Sequence, residues 1–164
     1  MALEIRSRRV GFAVLQGANL LDWGQRGFPP GISGTETAIE RISFLLDLYA
    51  PAVVIARRTR HVRDESSEVA ARIFRKIRGE LKRRSVRFVV LARRDVREFF
   101  SGQGCRSKQE IAAVIADRFD QLKSRLPRRR RAWERERHVM AVFDAIATAV
   151  VFNAGPIQEP IADG

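Results

Sequence analysis

Hydrophobic positions change their period several times along the chain. From Leu3 to Gln16 the sequence LEIRSRRVGFAVLQ sets Leu3, Ile5, Val10, Phe12, Val14 and Leu15 on either side of a basic turn, Ser7-Arg8-Arg9. That content predicts two strands, Leu3–Ser7 and Val10–Gln16. The turn Gly17-Ala18-Asn19 leads into a third, Asn19–Gly27. Phe28-Pro29-Pro30-Gly31 can continue neither strand nor helix and is read as a loop. The period then becomes helical. Ser33, with Glu36 as its capping-box partner, is expected to open a helix carrying Ala38, Ile39, Ile42, Leu45, Leu46 and Tyr49 on one side, until Pro51 stops it. Ala52–Ala56 is a short unbroken apolar run, the mark of a strand covered on both faces.

The remaining elements follow in the same way. Arg57–Arg63 is a basic loop. Asp64 or Ser66 caps a second helix that reaches about Arg84, with Val69, Ile73, Ile77 and Leu81 as its stripe. Val86–Ala92 is a fifth strand, Asp95–Phe100 a short helix and Ser101–Gly104 a glycine-bearing loop. Ser107–Leu126 and Ala132–Phe152 read as helices, separated by Pro127 and the run Arg128–Arg131. Asn153–Gly164, with Gly155, Pro156 and Pro160, is expected to be a mobile tail, leaving residues 1–152 as one domain. Three strands, then helix, strand, helix, strand and helices predict a mixed α/β sheet: an antiparallel meander followed by parallel crossovers.

Charge adds a functional direction. The 164 residues contain 31 Lys+Arg against 19 Asp+Glu, a formal net charge of +12. Such an imbalance favours a polyanionic partner, nucleic acid before a membrane surface. No helix has the bulky aromatic anchors of a membrane-surface segment, and the longest apolar stretch is interrupted by Asp144. The single cysteine, Cys105, allows no internal disulfide. With no signal-peptide pattern at the N-terminus, this fits a cytoplasmic setting.

The candidate chemistry centres on Asp144. It falls within the apolar stripe of the last helix, beside Met140, Phe143, Ala147 and Val151. An acid there either reaches water from the edge of the stripe or is paired with a metal or a cation. His61 and His138 lack the neighbours of a zinc site, and Cys105 lacks a catalytic partner, so it is read as a small buried residue. Asp22 sits in the meander with no assigned role.

Three segments together resemble the RuvC Holliday-junction resolvase family of the ribonuclease H-like superfamily. Glu4 and Gly11 have the spacing of that family's opening acid and glycine. Gly102, Gly104 and Lys108 fit its G-x-G loop followed by a lysine, and Val142–Ala149 (VFDAIATA) resembles its terminal-helix motif, with Asp144 on the aspartate. The segment order matches from about Leu3 to Phe152. The resemblance implies a ribonuclease H-like fold, binding of duplex or branched DNA, magnesium-dependent cleavage and a homodimer.

The departures bear on the cleavage. The family's opening acid is usually Asp, and here it is Glu4. Its second acid falls on Arg57, six residues after Pro51, and a further acid falls on Ala141. Two divalent cations held close together need several carboxylates to neutralise and bridge them. Glu4 and Asp144 alone remain, and Arg57 brings a fixed positive charge instead.

The expected function is therefore nucleic-acid binding by a RuvC-like protein with a remodelled metal site. The arginine-rich edges Arg6, Arg8, Arg9, Arg58, Arg60 and Arg128, Arg129, Arg130, Arg131, with Lys108, would take the phosphates, and Trp133 is the one stacking candidate. Arg75, Lys76, Arg78, Lys82, Arg83 and Arg84 lie along one helix and are read largely as solvated surface. One alternative is an active magnesium nuclease that uses Glu4, Asp144 and a relocated acid from Asp64, Glu65, Glu134 or Glu136. Another is an assembly protein with no nucleic-acid role.

Overall fold

The computed structural model describes residues 1–58, 65–128 and 138–155. Five strands form one sheet: β1 (Ala2–Ile5), β2 (Arg9–Gln16), β3 (Asn19–Gly27), β4 (Val53–Arg57) and β5 (Arg87–Leu91). Their spatial order is β3-β2-β1-β4-β5. The first three make the antiparallel meander, while β4 pairs parallel to β1 and β5 parallel to β4. This is the mixed α/β sheet, an antiparallel meander followed by parallel crossovers, that the order of elements predicted.

Helices cover both faces. Helices α1 (Gly31–Tyr49) and α2 (Glu65–Arg83) lie on one side. Helices α3 (Arg93–Ser101), α4 (Lys108–Arg118) and α5 (Met140–Ala154) lie on the other, with a 3-10 helix over Asp120–Arg125. Strand side chains alternate between the faces. Leu3, Ile5, Val10, Phe12, Val14, Val54 and Ala56 enter the core under α1 and α2, whereas Ala13, Ile55, Val89 and Leu91 enter the core under α5. The same alternation turns Ala2 and Glu4 of β1, and Ile55 and Arg57 of β4, toward α5. The register pairs Ala2 with Ile55 and Leu3 with Ala56, so Glu4 and Arg57 are the next neighbours across the two strands. The fold itself therefore sets an acid beside an arginine.

Several boundaries differ from the sequence expectation. The first helix starts at Gly31, behind Pro30, with no side-chain cap, because the Pro29-Pro30 pair already sets the entry of the chain; Ser33 is not its N-cap. Its other end is as expected, with Ala50 in the left-handed conformation at φ 39° just before Pro51. The helix expected over Ser107–Leu126 breaks at Phe119, whose extended backbone at φ −127° and ψ 96° lets both Phe119 and Leu122 reach the core. The part of the expected last helix before His138 lies outside the described residues; His138 and Val139 form a turn, and the helix runs from Met140. It runs on through Asn153 and Ala154, residues assigned by sequence to the tail, and Asn153 Nδ2 donates to Gly17 O at 2.9 Å. Residues 129–137 and 156–164 lie outside the described residues. Among the described residues, no helix is long and apolar enough to cross a membrane.

Helix α5 packs on β1, β2 and β4 at unusually close range. A Cβ placed on Gly11 would lie 2.2 Å from the carbonyl oxygen of Ala141. Only a glycine at 11 and a small residue at 141 let helix and hairpin meet at this distance. Gly11 pairs with Glu4 in the sheet, so the same contact sets α5 directly over Glu4. Gly11→Ala should cost about 2 kcal/mol or more, because the helix must shift or the strand bend. Gly79→Ala on the exposed side of α2, where an added Cβ meets nothing within 4 Å, should instead gain about 0.5–1 kcal/mol. Urea unfolding of both variants checks the pair. A Gly11→Ala protein as stable as the parent would show that α5 does not press on the hairpin.

Candidate functional site

The two acids come together with three cations at the carboxyl ends of β1 and β4. Glu4 and Asp144 are both buried, at 4% and 6% exposure. Arg57, the last residue of β4, donates from Nη2 to Glu4 Oε1 at 2.6 Å, and the same nitrogen lies 3.1 Å from Asp144 Oδ2. Arg6 follows Glu4 by two positions and so turns to the same side; its Nη2 donates to Asp144 Oδ2 at 2.6 Å. Lys108, the first residue of α4, donates from Nζ to that same oxygen at 3.1 Å. Its placement depends on a capping box: Glu110 N donates to Ser107 Oγ at 3.2 Å, and Ser107 N donates to Glu110 Oε2 at 3.1 Å.

The two carboxyls respond differently to this setting. Burial pushes Glu4 upward from the ordinary carboxyl value, and Arg57 and Arg6 only partly offset it. Burial also opposes ionisation of Asp144, yet Arg57, Lys108 and Arg6 together hold that group below the usual range. Arg57 itself is buried, which favours the neutral form, but the two acids more than restore its charge. Asp144 is thus the more readily ionised of the two acids. Glu4 Oε2 is buried without a hydrogen-bond partner, whereas Oε1 accepts from Arg57.

These residues do not suit a divalent metal. Among the described residues the donor set holds two carboxyls, and three side chains bonded to them are positive. A guanidinium at 2.6 Å from Glu4 occupies the space beside the carboxyl and repels a cation from it. Among the described residues no group of three or more His, Cys, Asp or Glu could hold a metal ion. Of the relocated acids considered from sequence, Asp64, Glu134 and Glu136 lie outside the described residues, as does the side chain of Glu65.

Sequence reasoning set Arg6 and Lys108 among phosphate-binding residues; the structure brings both onto Asp144 as well. The signals were present: Arg6 has the two-residue spacing from Glu4, and Lys108 follows a capping serine. Arg8 and Arg58 are exposed at the same sheet edge, Arg9 is half-buried and Arg128 is exposed on the far side of the 3-10 helix in sequence. Arg60, Arg129, Arg130, Arg131, His61 and Trp133 lie outside the described residues. Asp22 accepts from Tyr49 Oη and from the backbone N–H of Trp23, which ties β3 to α1 rather than joining the site. Cys105 is buried, and burial pushes its thiol upward, as befits an inert core residue.

Beside the network, α3, α4 and α5 enclose a cleft of about 270 Å³. Arg57, Arg93, Arg97, Arg106 and Lys108 line it, with Asp144 as the one carboxylate among the described residues. Arg93 and Arg97 stand one turn apart on α3, both exposed, and neither forms an ion pair with a described residue. Neither was among the residues singled out from the sequence, where this stretch is read only as a short helix.

No protein-family model and no curated protein matches the chain. Among solved structures, the fold is similar to that of T. thermophilus RuvC in complex with a Holliday junction substrate, with a TM-score of 0.67 and 15% identity over 92% of this chain and 88% of that chain. A second Thermus thermophilus RuvC structure gives a TM-score of 0.65 and 14% identity, covering 92% of this chain and 90% of that chain. Likeness at this level of identity establishes the shared fold.

The charge assignment has a stability consequence. The folded pKa of Asp144 lies below its ordinary 3.8, so its contribution is present above that pH and is lost as the pH falls through the folded value. The folded pKa of Glu4 lies above 4.5, so its contribution is complete below that pH and declines as the pH rises through the folded value. At neutral pH, Asp144→Asn should cost about 3 kcal/mol or more and Arg57→Ala about 3–5 kcal/mol, since each strands buried charge. Glu4→Gln keeps an acceptor for Arg57 and should cost under about 1.5 kcal/mol. Chemical unfolding at pH 7 checks the order, and a Glu4→Gln variant weaker than Asp144→Asn would reverse the assignment.

Proposed function

We infer that this chain is a RuvC-like nucleic-acid-binding protein in which Arg57 takes the place of a catalytic metal ion, and that it binds duplex or branched DNA without cleaving it. The observation that carries this reading is the Arg57 bridge, 2.6 Å from Glu4 and 3.1 Å from Asp144. A guanidinium in that position bonds Glu4 Oε1 and lies beside Asp144 Oδ2 with a permanent positive charge. A divalent cation would have to displace it.

The binding half of the reading is supported by where the remaining cations lie. β1, β4 and β5 run parallel, so their carboxyl ends share one edge of the sheet. That edge carries Arg6 and Arg8 after β1, Arg57 and Arg58 at the end of β4, and Arg93 after β5. In α/β sheets the carboxyl edge is where ligands are received. The formal charge of +12 strengthens attraction of a polyanion to that edge. The structural likeness to RuvC, one example of which is bound to a Holliday junction, points to branched DNA as the first substrate class to test.

The test combines binding and cleavage. Labelled four-way junction, duplex and single-stranded DNA are titrated with the protein, with and without magnesium or manganese. Binding should fall steeply with salt: three phosphate contacts alone imply a loss of about 40-fold between about 50 and 200 mM. Replacing Arg128–Arg131 with alanine should weaken binding to every substrate without unfolding the protein. No magnesium-dependent product is expected, and neither metal should raise the melting temperature. Salt-insensitive binding would contradict the phosphate contacts. Cleavage by the parent protein that disappears in Glu4→Gln would establish the active nuclease instead.

A further inference from the structure

We propose that the cleft between α3, α4 and α5 receives one unpaired nucleotide, its phosphate on the arginine rim and its base against the apolar wall. This inference rests on the nucleic-acid reading above and specifies which part of the ligand enters the fold. The cleft has two kinds of lining. Arg57, Arg93, Arg97, Arg106 and Lys108 line a space of about 270 Å³, with Asp144 as the only acid there among the described residues. Val96, Ile111, Met140 and Phe143 line the same space.

The cationic side chains alone would suit inorganic phosphate or any passing backbone. The apolar side chains set a further demand, because they gain nothing from an ion and gain from covering a flat, weakly polar group. A nucleotide carries both an anionic and a flat part. The volume lies just below the usual range of about 300–1,000 Å³ for small-ligand sites, which limits it to one nucleotide and leaves no room for a base pair. In a duplex the base faces are stacked, so a base can meet the wall only after leaving the stack. An unpaired residue at a branch, a gap or a bulge enters without that cost. The rim arginines Arg93 and Arg97 are exposed and form no ion pair with a described residue, so they are available to phosphate oxygens as bidentate donors.

Ser101 supplies the test. It is exposed at the end of α3 and lines the cleft, so a large side chain there closes the space without changing charge or core packing. Two measurements are made on the parent protein and on Ser101→Trp. The first compares a paired duplex with the same duplex carrying one unpaired nucleotide. The parent should prefer the latter by about tenfold, the scale of one base contact. Ser101→Trp should lose that preference while holding the paired duplex as the parent does. The second titrates adenosine 5′-monophosphate, with inorganic phosphate and adenosine as controls. The mononucleotide should bind the parent more tightly than either control, and Ser101→Trp should abolish the difference.

The outcomes separate the two claims. Mononucleotide binding that Ser101→Trp abolishes, in a protein that ignores DNA, supports the cleft as a nucleotide site and overturns the DNA reading. DNA binding with no preference for an unpaired nucleotide, or with a preference that Ser101→Trp leaves intact, overturns the cleft and leaves the DNA reading standing. Equal binding of phosphate and mononucleotide also overturns it, since the apolar wall then plays no part.

Discussion

Two buried acids near one another cannot both carry charge without compensation, and the structure around them follows from that constraint. Burial alone would neutralise both. Arg57, Arg6 and Lys108 keep Asp144 ionised, while Glu4, with one oxygen on Arg57 and the other unpartnered, is biased toward its protonated form. The three cations come from the end of β4, the turn after β1 and the start of α4, so the network ties together both sheet and helical layer. Among the described residues, three positive side chains gather on the two acids, and Arg57 and Lys108 line the cleft together with Arg93, Arg97 and Arg106. Internal compensation and external anion attraction thus arise from the same side chains.

Much of this was legible in the chain because it depends on period and order. Alternation in LEIRS and AVVIAR fixes which residues share a face, and the crossover rule sets β4 parallel to β1. Glu4 and Arg57 become neighbours from those two facts. Asp144 was conspicuous because an acid interrupts an otherwise apolar helix, whose residues from Met140 to Val151 are all buried. What was not legible depended on contacts between elements far apart in sequence. The break at Phe119 reflects the need to bury both Phe119 and Leu122, which no local propensity records. The cleft was hidden for a similar reason. Val96, Ile111 and Phe143 belong to three helices, and only packing shows that they share a wall with Arg93 and Arg97.

The close seat of α5 explains how the site keeps its shape. Gly11 lets the Ala141 carbonyl approach the hairpin, and Asp144 lies three residues further along the same helix. A longer side chain at 11 would lift the helix and open the distances from Asp144 to Arg57 and Arg6. Packing and electrostatics are therefore not independent here: the van der Waals contact sets the separation at which the ion pairs operate. Tyr49 and Asp22 make a comparable tie elsewhere in the fold, between α1 and β3.

The alternation that sets Arg57 beside Glu4 also makes the pairing of β4 self-checking. A slip of one residue along β1 would turn Arg57 into the apolar layer beneath α1 and α2, among Leu3, Ile5 and Ile73. The same slip would bring Ala56 opposite Glu4 and leave Asp144 without its central partner. A purely hydrophobic strand such as AVVIA could tolerate that error, because small and branched apolar residues occupy both of its faces. With one arginine at its end, the strand has a single arrangement that does not bury an uncompensated charge. The guanidinium thus discriminates between correct and shifted assembly while the chain is still folding, before any ligand is present.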